Sequence, residues 1–362
     1  DLSPGGAKDL RDAYLCGQRD FGGRVILINA GSQPTHPAVV AKLSPEVALF
    51  DAAEADFDLA ALVARFDIDL LHSNIWWADS LVDSWRARLP EGLPWVITMH
   101  GCHETLLRHP GIDRGFAEKM TRMIERVDAW VYLADKNIAV FDSFPRPERL
   151  LRIPNGMAAE AVTAPPARAD LGLREEAVVL CLAARAIASK GWGEAVAVVE
   201  QLNAEGHAVD LILCGEGPMA DEIRAAAPEH VVLTGQVSNV QDYFAISDIG
   251  ILPSYFVGES LPLALLEMMA QGLPLIASAV GEIPVVLGQT GPENGPEKGP
   301  EDGAGDGTTE AGILIPLQED PETGAPGLDM AAFASATRRL LEPDLRARLA
   351  RGARARFEAE FR

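Results

Sequence analysis

The residues with the clearest chemical potential lie in the stretch 258–278, GESLPLALLEMMAQGLPLIAS, where Glu259 and Glu267 stand eight positions apart in an otherwise apolar run. At about 100° per residue, eight positions fall roughly 80° out of alignment, so one continuous helix would not carry both on one face. Pro262 suits a first helical position, and Gly272 followed by Pro274 suits a helix end. The spacing therefore predicts a helix over about 262–270 and a buried strand over 274–278. Glu259 then lies in the loop before the helix and Glu267 on its second turn. The amides of Ser260 and Leu261 would mark an anion site at the helix start, where the dipole is positive. Carboxylates on either side of an anion suit hydroxyls, and a nucleotide sugar presents ribose, diphosphate and hexose in that order. A solvated helix face and an ordinary loop acid fit the same two residues.

Other candidates follow strands. Arg185 and Lys190 come after the apolar run 178–184, at a carboxyl end of the kind where open α/β sheets bind ligands. Two cations there suit a diphosphate, with the arginine able to make bidentate contact, although surface cations fit as well. His100 stands next to last in the run 95–101. An imidazole that is neutral near pH 7 can donate to a sugar hydroxyl or stabilise charge, and it can also be merely structural. The tripeptides Asp56-Phe57-Asp58 and Asp67-Ile68-Asp69 have metal–diphosphate spacing. The first reads as a helix start and the second as a strand start on the edge away from ligands. Trp76 and Trp77 either stack on a sugar or pack under the next helix.

These residues need a scaffold, and the chain supplies one. In 362 residues, apolar runs at 24–30, 47–51, 69–74, 95–101, 129–134 and 150–154 alternate with helical patterns at 7–19, 59–66, 79–88, 114–126 and 135–143. A second series of runs covers 178–184, 209–215, 231–235, 249–254, 274–278 and 312–316, with helices between them and at the C-terminus. Such alternation means an α/β chain with parallel, doubly wound sheets, here two Rossmann-like domains. The boundary is expected between 1–157 and 158–362, with an Ala- and Pro-rich linker at 157–169. The segment 289–310 holds six acids against one lysine and the repeat GPENGPEKGPEDG. That composition cannot bury a core, so it reads as a disordered acidic loop.

Composition narrows the function. Hydrophobic content of 48% is that of a globular protein with ample core. The net charge is −22, of which 17 basic and 22 acidic residues over 1–157 give −5 and the remainder −17. No basic stripe is available for nucleic acid. Cys16, Cys102, Cys181 and Cys214 form no C-x-x-C pair and suit a reducing, cytoplasmic compartment. The most apolar window, 261–281, contains Glu267, Gln271 and two prolines and does not read as a membrane span. The chain opens at Asp1 and closes inside a helical pattern, as a piece of a longer protein would.

Further short motifs are Pro4-Gly5-Gly6-Ala7, Thr98-Met99-His100-Gly101, Ile153-Pro154-Asn155-Gly156, Gly215-Glu216-Gly217-Pro218 and Asp248-Ile249-Gly250-Ile251-Leu252-Pro253-Ser254. With the Arg185/Lys190 pair and the E-x7-E stretch, their order resembles family 4 of the retaining glycosyltransferases, which have the GT-B fold: two Rossmann-like domains facing across a cleft. The resemblance implies an acceptor-binding first domain and a donor-binding second one. It implies that Arg185 and Lys190 hold the donor diphosphate, Glu267 the ribose, and Glu259 the hexose. Ser260 and Leu261 would offer amides to phosphate, Gly5 and Gly6 close backbone approach, Val237 the base region, and His100 a place at the reaction centre. It also implies retention of configuration and no metal or other cofactor. The donor would be a nucleotide sugar, with UDP-sugar ahead of GDP-mannose, and the acceptor a glycan, a lipid-linked sugar or a small molecule. The basic segment 108–126 suits either a peripheral membrane contact or a solvated face of mixed charge. Rival readings are a GT-B epimerase and a non-catalytic nucleotide-sugar-binding domain.

Overall fold

The computed structural model describes residues 23–32, 34–35, 40, 43, 47–101, 103–109, 111–256, 258–289, 308–319 and 326–362. Gly5, Gly6, Cys16, Cys102, the helix expected at 7–19 and most of the acidic segment 289–310 lie outside them. The chain divides into two compact units, Asp1–Ile153 and Pro154–Arg362.

In the first unit, β1 (Ile26–Asn29) pairs in parallel with β2 (Ala48–Asp51). Helix α1 (Leu59–Phe66) begins where the Asp58 carboxylate accepts the Ala61 N–H at 2.8 Å, so this acid caps a helix, as its position in the sequence suggests. A four-stranded parallel sheet follows, in the order β3 (Leu71–Ser73), β4 (Trp95–Met99), β5 (Ala129–Tyr132), β6 (Leu150–Arg152). Helices α2 (Trp76–Trp85), α3 (His103–Arg108) and α4 (Phe116–Arg126) connect these strands. The core joins Trp76, Trp95, Ile97, Met99, Met120, Met123 and Trp130.

Two helix expectations need correction, and one helix was not expected. The helix expected at 79–88 starts at Trp76, and its last residues tighten into a 3-10 turn, Arg86–Arg88. The early start arises because Trp76 is fully buried and donates its Nε1–H to Asp113 at 2.8 Å. Asp79 then turns inward, 3.2 Å from His103 Nε2, with both side chains fully buried. The segment expected as a helix at 135–143 is a 3-10 run, Asp135–Asp142, and α3 has no counterpart among the expected helices.

The second unit is a six-stranded sheet, every neighbouring pair parallel, in the order β12-β11-β10-β7-β8-β9. Its strands are β7 (Val178–Ala183), β8 (Val209–Cys214), β9 (Val231–Gly235), β10 (Ile249–Leu252), β11 (Leu275–Ser278) and β12 (Gly312–Ile315). They are near-continuous apolar runs because helices cover both faces of such a sheet. The buried acid in β8, Asp210, is held by the Arg174 guanidinium at 2.6 and 2.9 Å and by its backbone N–H at 2.7 Å. A short hairpin, β13 (Leu317–Glu319) with β14 (Pro326–Leu328), has no counterpart among the expected strands. Helices α5 (Trp192–Ala204), α6 (Pro218–Ala226), α7 (Gln241–Phe244), α8 (Leu263–Ala270), α9 (Ile283–Val286), α10 (Met330–Leu340) and α11 (Pro343–Glu360) complete the unit. Cys181 and Cys214 are buried free thiols.

The segment 157–169, expected as a linker, is built into this unit. Asp242 accepts the N–H groups of Thr163 and Ala164 at 2.6 and 3.0 Å, and Asn239 donates to the Ala161 carbonyl at 3.2 Å. The segment shows no periodicity in the sequence because side chains, not strand partners, satisfy its backbone.

Candidate active site

The strand order places a topological switch point at β7. From β7 the chain runs outward to β8 and β9, then returns to the other side of β7 as β10. Open α/β sheets bind ligands at the carboxyl edge beside such a reversal. The loops that meet there are the ones carrying Arg185 with Lys190 and Ser254 with Glu259.

The loop after β7 ends in a 3-10 turn, Ala188–Lys190, and Gly191 then turns the chain into α5 with φ +75°. Only glycine fits, since a Cβ at 191 would stand 2.1 Å from the Pro253 carbonyl oxygen. The loop after β10 is stitched to it by the Tyr255 N–H, which donates to the Ser189 carbonyl at 2.9 Å. With the two backbones this close, Lys190 Nζ forms an ion pair with Glu259 Oε2. Those side chains are only 12% and 6% exposed, and the buried Ser254 hydroxyl lies 3.3 Å from the same carboxylate oxygen. Phe256 lies against both cations, its ring centre 4.9 Å from Lys190 Nζ and 5.9 Å from the Arg185 guanidinium carbon. Arg185 is exposed.

The next turn fixes the direction of an amide. The Ser260 carbonyl accepts the Glu282 N–H at 2.8 Å. In a planar trans peptide the N–H points opposite to the carbonyl, so this bond aims the Leu261 N–H the other way. Leu261 is 6% exposed, and its N–H has no partner among the described residues. A buried amide of this kind calls for an acceptor. Helix α8 begins at Leu263, one residue later than expected, with Pro262 at its cap. Glu267 lies half-buried on its second turn.

The Gly215–Pro218 turn is clasped to the Arg185 loop. Ala186 donates to the Glu216 carbonyl at 2.8 Å and accepts from Met219 at 3.0 Å. Val237 is half-buried just past β9, the edge strand. Thus Lys190, Glu259 and Ser254 touch, Arg185 and Phe256 adjoin them, and Val237 stands after a strand two places from β7. Sequence reasoning misses Ser254 and Phe256 as parts of this site. The available signal is Ser254 itself, a small polar residue at a strand's carboxyl end, five positions before Glu259.

In the first unit, His100 follows β4 and is half-buried. Burial first, and then the neighbouring His72 and His103, push its pKa down from 6.5 to about 4. His72 shifts in the same direction through burial, opposed by Asp79, and meets Thr98 Oγ at 2.8 Å. An imidazole whose pKa is lowered on folding stays neutral while the unfolded chain takes up a proton. The stability this gives is therefore complete above pH 6.5 and drains away as pH falls toward 4. A His100→Gln variant is expected to lose less stability than the parent between those two pH values. Urea titrations at pH 7, 5.5 and 4.5 that gave parallel losses would contradict this.

Trp76 is core, while Trp77 is 48% exposed. Of the cations in 108–126, Lys119 pairs with Asp113, and Arg122 and Arg126 both pair with Asp83, which favours a solvated face of mixed charge. Among the described residues no helix is long and apolar enough to cross a membrane.

Two doubly wound parallel units, with charged loops at the switch point of the second, define a GT-B fold. Residues 176–342, from just before β7 to just past α10, match the model of the family "Glycosyl transferases group 1". The teichuronic acid biosynthesis glycosyltransferase TuaC, so named in Bacillus subtilis, is 26% identical over 205 residues, which cover 54% of this chain and 50% of that protein. The Escherichia coli UDP-Gal:alpha-D-GlcNAc-diphosphoundecaprenol alpha-1,3-galactosyltransferase is 24% identical over 263 residues, 67% of this chain and 65% of that one. The chain thus spans about half to two thirds of the length of these curated relatives. Among solved structures, Anabaena HepE in complex with UDP-glucose superposes with a TM-score of 0.71 at 18% identity, covering 100% of this chain and 93% of that one. The relatives are named as glycosyltransferases, and within the second unit it is residues 176–342 that match the group 1 model.

Proposed function

We propose that the protein is a retaining glycosyltransferase that moves a hexose from a nucleoside diphosphate sugar to a glycan, lipid-linked or small-molecule acceptor. The observation that carries this reading is the meeting of Arg185, Lys190 and Glu259 at the switch point of the second sheet, with the buried Leu261 amide, unpartnered among the described residues, two positions after Glu259. UDP-sugar is the preferred donor. In support, one relative is named for UDP-galactose and one structural neighbour holds UDP-glucose.

The barrier to such a transfer is expulsion of a nucleoside diphosphate while positive charge builds at the anomeric carbon. Fixed positive groups at the departing phosphate lower it, because they need no reorganisation during the reaction. Arg185, Lys190 and the start of α8 supply them, with no metal in the proposed scheme. Lys190 is already paired, so an arriving diphosphate shares it with Glu259, and the glutamate is left facing the hexose hydroxyls. The acceptor attacks from the face the phosphate leaves, and a phosphate oxygen takes its proton. His100, neutral across the physiological range, serves as a hydrogen-bonding partner for the hexose. The site of action in this scheme is cytoplasmic.

Calorimetric titration with UDP, GDP and ADP tests the donor site. One nucleotide is expected to bind at micromolar Kd without added metal. Glu267→Ala should weaken that binding about tenfold, or about 1.4 kcal/mol, by removing the ribose contact. Absence of binding by the folded protein would remove the donor site as drawn.

A further inference from the structure

We propose that Asn155 is a positioning residue for the phosphate-facing turn at Leu261, acting from the point where the second unit begins. The proposal rests on the donor-site reading above and assigns the side chain that holds that site's backbone in place.

Helix α8 has an unusual entrance. Pro262 occupies the cap and offers no side chain to the first amides of the helix. The Leu261–Pro262 peptide has an oxygen acceptor and no N–H, so nothing on its nitrogen side can orient it. The Leu261 carbonyl is instead held from a distance in sequence. Asn155 Nδ2 donates to it at 2.9 Å, across 106 positions. Facing a carbonyl oxygen, the Asn155 side chain must present its NH₂ and not its own oxygen.

That bond acts together with the one on the preceding peptide. Glu282 N–H fixes the Ser260 carbonyl, and Asn155 fixes the Leu261 carbonyl. Leu261 is therefore held at both ends, and its own N–H, which lies between the two anchors, has one direction available. Close packing on the opposite side removes the remaining slack, since a Cβ at Gly281 would meet the Glu259 and Ser260 carbonyl oxygens at 2.5 and 2.8 Å. Asn155 is itself held, because the Met157 N–H donates to the Phe361 carbonyl at 2.8 Å and Gly156 lies beneath the same carbonyl. The Ile-Pro-Asn-Gly motif thereby gains a purpose, since its asparagine reaches back to set an amide that faces phosphate.

The test compares the wild-type protein with Asn155→Ala and Asn155→Asp by calorimetry. The probes are UDP, GDP and ADP, each beside its monophosphate and its nucleoside. Asn155→Asp has the same size but puts an anionic acceptor against a carbonyl, so it should be the worse of the two. Diphosphate binding should fall about fivefold in Asn155→Ala and further in Asn155→Asp. Nucleoside binding and the thermal midpoint should stay close to wild type. Unchanged diphosphate affinity in both variants would overturn the proposal, and so would an equal loss for nucleoside and diphosphate, the mark of a general packing defect. Failure of the wild-type protein to bind any of the probes is a separate outcome, and it removes the donor-site reading together with this one.

Discussion

Replacing Lys190 by alanine is expected to lower transfer activity about a hundredfold to a thousandfold, the range seen when one preorganised charge-stabilising group is removed. Lys190 acts in two ways, and the variant separates them. It is a fixed positive charge at the switch point, which the departing diphosphate would use. It is also the cation that compensates Glu259, a carboxylate only 6% exposed. Losing that cation leaves the carboxylate beside the Ser254 hydroxyl, a neutral group, and breaking a buried pair from one side costs about 3 kcal/mol. The variant should therefore be both slow and less stable. Adding Glu259→Gln should recover stability without recovering rate. Initial rates of donor consumption beside urea unfolding of the single and double variants make the check. A single variant within threefold of wild-type rate would show that Lys190 does not serve the leaving group.

The second large effect is on folding. Gly191→Ala should destabilise the second unit by about 3 kcal/mol or more, combining left-handed strain with a backbone collision. The sequence offers its own control in Gly172, whose φ of +73° nearly equals the +75° of Gly191. A Cβ at Gly172 meets nothing within 4 Å, whereas at Gly191 it meets the Pro253 oxygen at 2.1 Å. Gly172→Ala should then cost only about 1 kcal/mol, the backbone share of the effect. Equal losses in the two variants, read from denaturant midpoints, would mean that the contact between the β7 and β10 loops gives way easily.

Much of this architecture can be read from the chain because its signals are local. A parallel strand covered on both faces reads as an unbroken apolar run, and Val178–Ala183 and Val231–Gly235 stand within a residue of where the pattern puts them. Helix α1 matches because Asp58 caps it from the adjoining position. The failures share a different cause. Asp79 is an acid in a helical pattern, which usually faces water. What turns it inward is His103, 24 positions away and on a helix too short to announce itself. The same holds at the site. The positions of Arg185, Lys190 and Glu259 follow from strand ends, but the pairing of Lys190 with Glu259 depends on β10 returning to lie beside β7. No spacing along the chain encodes that return. The Asn155 contact is more remote still, and a lone asparagine in a turn carries no periodicity.

The bond between Met157 and Phe361 gives the second unit the character of a closed ring. Drawing together the ends of so long a segment costs about 5 kcal/mol of chain entropy, and one net hydrogen bond returns about 1. The closure must come from α11, whose Leu349, Ala353 and Phe357 are buried and which delivers a buried Phe361 beside the unit's first residues. In such a ring the point where the polypeptide enters is a matter of connectivity alone. A permuted chain that joined Arg362 to Pro154 and opened at an exposed turn elsewhere would meet the same packing instructions and have the same sheet to build.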